Sequence, residues 1–136
     1  MQYFAQEFTS YMDDNDIQYT TMEDDNVIQV AYGGDNLDTI TIFVIFDEDG
    51  DPFVQFKCWD ILNFNDKEEI AYEMCNRLNA EYRWVKFYLD KDGDINASID
   101  AVIGEDDCGE ACMNLVHRII RIVDDAYPEI AKTRWA

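Results

Sequence analysis

One short acidic turn is written twice in this chain, as Asp47-Glu48-Asp49-Gly50-Asp51 and Asp90-Lys91-Asp92-Gly93-Asp94, each time between two runs of alternating apolar residues. Alternation with period two belongs to half-buried strands, so the pattern calls for two hairpins. The same acids also look like a calcium loop, and a count of positions decides between the two. A helix-loop-helix calcium site needs oxygen ligands at loop positions 1, 3 and 5, glycine at 6 and a bidentate glutamate at 12. Counting from Asp47 puts Pro52 at position 6 and Cys58 at 12, and counting from Asp90 puts Ile95 and Ala101 there. Both counts fail, and no metal ligand or cofactor-binding residue is assigned.

Residues opposite one another in an antiparallel pair share a face. Leu89 is therefore expected opposite Ile95, Phe87 opposite Ala97 and Val85 opposite Ile99, which leaves Lys91-Asp92-Gly93 as the loop. A hairpin loop of about three residues ends in a left-handed position where glycine has no Cβ penalty, and Gly93 falls there. Upstream, the same scheme pairs Val44 with Val54, Ile42 with Phe56 and Ile40 with Cys58, and leaves Glu48-Asp49-Gly50 as the loop.

The chain has 136 residues, enough for a single domain over 1–136 with one core, and its 48% hydrophobic content is too rich for disorder. Thirty acids face ten Lys and Arg, for a formal charge of −20, and Lys57 is the only base before residue 66. Nucleic-acid binding is excluded, since phosphate contacts need clustered bases. Anionic membrane surfaces repel the chain for the same reason. The charge serves solubility, or else attracts a basic partner as an acidic decoy or sink. MQYFAQEF at the start has no basic region followed by an apolar run, and no apolar stretch is long enough to span a bilayer. A cytoplasmic protein is expected.

Four cysteines, at 58, 75, 108 and 112, form no C-x-x-C pair. Cys108 and Cys112 lie on a predicted helix with His117 beyond them, but His117 falls on the polar side with Arg118 and Arg121. Buried thiols and a solvated histidine are the expectation. With one histidine in the chain, no Ser-His-Asp or Cys-His set is assigned, and the catalytic residues are none.

Phe4, Phe8, Tyr11 and Met12 mark a first helix that stops at Asp13-Asp14-Asn15-Asp16. Ile17 to Met22 reads as an edge strand, followed by strands Val27 to Tyr32, Thr39 to Phe46 and Phe53 to Trp59. Asn65 and Glu68 have the spacing of a capping box for a second helix with Ile70, Ala71, Met74, Cys75 and Leu78 on one stripe. After the second hairpin, a last helix carries Cys108, Cys112, Leu115, Ile119, Ile122 and Ala126 on one stripe and Val116, Ile120, Val123 and Tyr127 on another. Pro128 is expected to end or kink it.

The fold class is thus α+β, a single layer of antiparallel sheet with helices in the order α-β-β-β-(β)-α-β-β-α. Asn76-Arg77-Leu78-Asn79 closing the second helix, then Trp84-Val85-Lys86-Phe87-Tyr88-Leu89-Asp90 with its turn, then Ile95 to Ile103 and the long amphipathic last helix carry a resemblance. The chain resembles the YbjN domain family, which shares the fold of type III secretion chaperones. That resemblance implies a non-enzymatic regulatory or binding module, with no catalytic residue to carry over. It also implies a small acidic homodimer able to hold an extended segment of a protein client. Relative to those chaperones, this chain is unusually acidic in its first half.

If Ile42, Val44, Val54, Phe56, Val85, Phe87 and Leu89 face the helices, then Phe43, Ile45, Phe53, Trp59, Trp84 and Tyr88 face the other way. So many large side chains need cover, and together they form the expected partner or dimer surface. A helix of the same chain is expected first as the cover, then a second copy, then a client peptide.

Overall fold

A computed structural model describes residues 1–136. The elements run α1 (Tyr3–Asp14), β1 (Thr20–Thr21), β2 (Val27–Tyr32), β3 (Ile40–Phe46), β4 (Phe53–Asn63), α2 (Glu68–Glu81), β5 (Lys86–Leu89), β6 (Asp94–Val102) and α3 (Cys108–Trp135). The strands form one antiparallel sheet in the order β1-β2-β3-β4-β6-β5. This is the α+β arrangement that the residue pattern implies.

Burial in β3 alternates strictly, with Ile40, Ile42, Val44 and Phe46 inside. Val54, Phe56 and Cys58 of β4, Ile95, Ala97 and Ile99 of β6 and Phe87 of β5 join them beneath the helices. Phe4, Phe8 and Met12 of α1, Ala71, Met74 and Leu78 of α2, and Val116, Ile119 and Val123 of α3 supply the opposite wall. Those helix positions recur three or four apart, the period that puts residues on one face. In all, 32 buried apolar residues form one contiguous core.

The second hairpin has the register its alternation dictates, with Leu89 opposite Ile95 and Phe87 opposite Ala97. Gly93 holds φ +85° at the end of its loop. In the first hairpin, Val44 lies opposite Phe56 and Phe46 opposite Val54, not Val44 opposite Val54. The shift is even, so every side chain keeps its face, and the loop is two residues longer at the Pro52 end. Pro52 has no N–H to donate to the ladder, and β4 begins only at Phe53. β4 then runs past Trp59 through an irregularity between Cys58 and Leu62, where Asp60 takes φ +58°.

Two helix ends differ from expectation. Asn65 does not cap α2: it adopts φ +40°, Lys67 occupies the cap position, and no side chain bonds the first turn. Pro128 does not end α3, which continues to Trp135. A proline inside a helix leaves the carbonyl four residues earlier without its donor. That carbonyl belongs to Asp124, and the side-chain amide of Asn36 takes it at 2.9 Å. The Asp124 carboxylate meanwhile accepts the backbone N–H groups of Asp35, Asn36 and Leu37. The β2–β3 loop is thus pinned to the middle of α3.

Candidate functional site

All three helices pack on one side of the sheet, and no helix of the chain covers the other. The expectation that the chain covers both faces itself is therefore corrected. The second face is too short of its own elements, because the chain spends its helices on burying β3, β4 and β6 from one side.

The register maps the open face. Val27, Ile45, Gln55 and Asp100 fall in one row across β2, β3, β4 and β6, and Gln29, Phe43, Lys57, Ser98 and Lys86 fall in the next. Phe53 stands opposite Val102 at the end nearest the β3–β4 turn. Phe43 and Trp59 stack with ring centroids 4.7 Å apart. Lys57 and Lys86 lie over the ring of Tyr88 at 5.4 and 5.6 Å, near enough for cation–π attraction. Phe53 remains 53% exposed, Trp59 42% and Val102 71%. Large apolar groups gathered in this way mark interaction surfaces on soluble proteins.

Phe43, Ile45, Phe53, Trp59 and Tyr88 are brought to this one face. Trp84 is not. It adopts φ +77°, outside β5, and its ring stacks with the Arg118 guanidinium of α3 at 5.3 Å. A positive φ breaks the alternation from which its direction was read. Val102 joins the face instead. Its place was legible from its alternation with Ala101 and Ile103, but its contact with Phe53 depends on β4 lying beside β6, which no local pattern encodes.

Ile45, Phe53 and Val102 line a groove of about 630 Å³ at the turn end of the face, and Asp47, Glu48, Asp49 and Asp100 supply its acids. Asp47 is fixed there by the N–H groups of Asp49 and Asp51, which donate to its carboxylate at 3.1 and 3.4 Å.

A separate trio, Asp60, Asp90 and Asp94, brings carboxylate oxygens within 4.8 Å of one another. Carboxylates are the donors a hard cation prefers, but calcium takes about six to eight oxygens. Asp90 already serves the turn: its oxygens accept from the N–H groups of Asp92 and Asp94 and from the Asn96 amide, at 2.9 to 3.0 Å. Burial pushes the Asp90 carboxyl up, and those donors together outweigh it, so it titrates below the ordinary aspartate value. Asp60 goes the other way, raised by desolvation and then by the carboxylates of Asp94, Asp90 and Asp92. Both D-G motifs therefore act as backbone turns.

The four thiols are free and buried, as their helix and strand positions imply. Burial pushes Cys58 up to about 12 and Cys75 up to about 11. His117 is exposed and packs against Tyr32, with ring centroids 5.5 Å apart.

Residues 5–132 match the family described as "YbjN: Putative bacterial sensory transduction regulator". The crystal structure of YbjN from E. coli, described as "a putative transcription regulator", is similar in fold, with a TM-score of 0.65 over 95% of this chain and 96% of that one. At 11% sequence identity, that likeness concerns the fold alone. No curated protein is similar enough to this chain to count as a relative. The chain belongs to the YbjN family.

Proposed function

We propose that this chain is a non-enzymatic, protein-binding regulatory module that works through the open face of its sheet. The observation that carries this reading is the exposure of Phe53, Trp59 and Val102 on a face without a helix. Leaving such groups in water forgoes about 25 cal/mol for each Å² that a partner would cover. The family description as a regulator agrees with it. Cys58 and Cys75 are poor nucleophiles, since thiols raised to about 12 and 11 carry almost no thiolate at neutral pH. Holding a client segment is the finer form of this reading, and acting as an acidic decoy or sink for a basic partner is the alternative to it.

A homodimer is the second reading. Across a two-fold axis, Phe53, Trp59 and Val102 of one copy would cover their counterparts in the other.

Carbene footprinting tests the role. Phe53, Trp59 and Val102 are expected to label strongly in the purified protein and to be protected inside cells that express it. Equal labelling in the two settings would count against any partner on this face.

A further inference from the structure

We propose that the groove between the β3–β4 turn and β6 receives an extended, basic and apolar segment of another protein, one that alternates Lys or Arg with large aliphatic or aromatic residues. This rests on the reading of the open face as a binding surface and adds the chemistry of the partner. The floor is Ile45, Phe53 and Val102. Phe53 and Val102 are directly opposed across β4 and β6, yet both stay more than half exposed. Cross-strand apolar neighbours cover one another only along their shared edge, so a third apolar group from outside would bury what they leave in water.

The acids of the groove have no counter-charge within the chain. The ion pairs of the molecule are Met1 with Asp25 and Arg77 with Glu129, both elsewhere. Asp100 accepts only from the Gln55 amide, at 3.2 Å, and Lys57, the one base in the middle of this face, leans on Tyr88. A lysine or arginine above the rim would thus meet Glu48, Asp49 and Asp100 without displacing an existing partner. The alternation suits an extended chain, whose side chains point in turn down to the floor and out to the rim.

Other occupants fit less well. A second copy would bring −20 against −20, and its own lysines on this face are already engaged with Tyr88. Nucleic acid and anionic lipid carry the wrong sign. A small molecule needs a pocket that buries most of its surface, whereas the floor of this groove is widely exposed.

The test is fluorescence polarisation with the full chain and two short fluorescein-labelled peptides, one alternating Lys with Leu and one alternating Glu with Leu. The proteins are the wild type, Phe53→Ser, the groove set Glu48→Gln/Asp49→Asn/Asp100→Asn, and a charge-matched control set Glu23→Gln/Glu73→Gln/Asp106→Asn. Circular dichroism of each confirms that these surface changes leave the fold intact. The Lys/Leu peptide is expected to bind the wild type and the control set alike, and to bind Phe53→Ser and the groove set about tenfold more weakly. Absence of binding, indifference to Phe53→Ser, or an equal loss with the control set would overturn the proposal. If the Glu/Leu peptide binds equally and Phe53→Ser abolishes it, the basic partner is wrong while the binding face stands. A dimer in sedimentation that Phe53→Ser dissolves would overturn the proposal in the same way, with a second copy as the occupant.

Discussion

The side-chain amide of Asn36 donates to the main-chain carbonyl of Asp124 at 2.9 Å, the very acceptor that Pro128 cannot serve. Loss of a helical hydrogen bond at proline is normally a break point. Here the β2–β3 loop replaces the donor, and the Asp124 carboxylate holds that loop by three backbone N–H groups. α3 can therefore run its full 28 residues across the sheet.

Asp124→Ala is expected to lower stability by about 1–2 kcal/mol, since it removes three hydrogen bonds to a carboxylate from one loop. Asn36→Ala removes a single donor and should cost about 1 kcal/mol. Urea denaturation of the two variants and the wild type measures both, and an Asp124→Ala variant as stable as the wild type would show that the carboxylate plays no part in holding the loop.

Acid should loosen the fold through the same group. Burial raises the Asp124 carboxyl, but the N–H groups of Asn36, Asp35 and Leu37 together outweigh it and leave it below the ordinary aspartate value. A depressed pKa means that the unfolded chain binds more protons in the window between the two values. The contribution of Asp124 is then complete above about pH 4 and is lost as pH falls through its folded value. Asp90 behaves alike. The stability of Asp124→Ala should accordingly fall less steeply than that of the wild type in a urea series taken from neutral pH down to pH 3.

Asp60 has the opposite sign. Desolvation and the carboxylates of Asp94, Asp90 and Asp92 hold its pKa up, so its ionisation opposes folding as pH rises through that window. Its φ of +58° is also one that asparagine tolerates well. Asp60→Asn should raise the thermal midpoint at neutral pH and leave it nearly unchanged in acid. An unchanged midpoint at both would mean that the three neighbouring carboxylates do not repel it.

α1 and α3 meet at Gly109, where an added Cβ would run into the Cβ of Tyr11. Gly109→Ala is expected to cost about 1–3 kcal/mol by forcing the two helices apart. The gain in helix propensity, about 1 kcal/mol, offsets only part of this. A thermal melt checks it, and a stabilised variant would contradict so close an approach of the helices.

Most of the fold is written in local periods. Phe4, Phe8 and Met12 mark α1, and the alternation from Lys86 to Val102 fixes the second hairpin down to its register. The first hairpin keeps its faces and loses its register, because Pro52 acts on the backbone while alternation reports only the side chain. Asn65 and Pro128 mislead for a related reason. Cap spacing and helix breaking are local rules, but the start of α2 is set by the turn at Phe64–Lys67 and the length of α3 by Asn36, which lies 92 positions before Pro128 in the chain.

The candidate face was legible in part. Phe43, Ile45, Phe53, Trp59 and Tyr88 share it because parity along a strand survives an even slip. The emptiness of that face was not legible, since it depends on all three helices choosing the same side. Nor was the groove, which requires Phe53 and Val102 to meet across two strands that are distant in sequence.

Photocrosslinking in living cells addresses the binding role most directly. A photoreactive residue is placed at Gln55 on the open face, or at Glu73 on the outward side of α2 as the control, in the wild type and in Phe53→Ser. Protein adducts from Gln55 that Phe53→Ser suppresses, with none from Glu73, are the expected result. Adducts that form equally from both positions, or that persist unchanged in Phe53→Ser, would contradict a binding role for the open sheet.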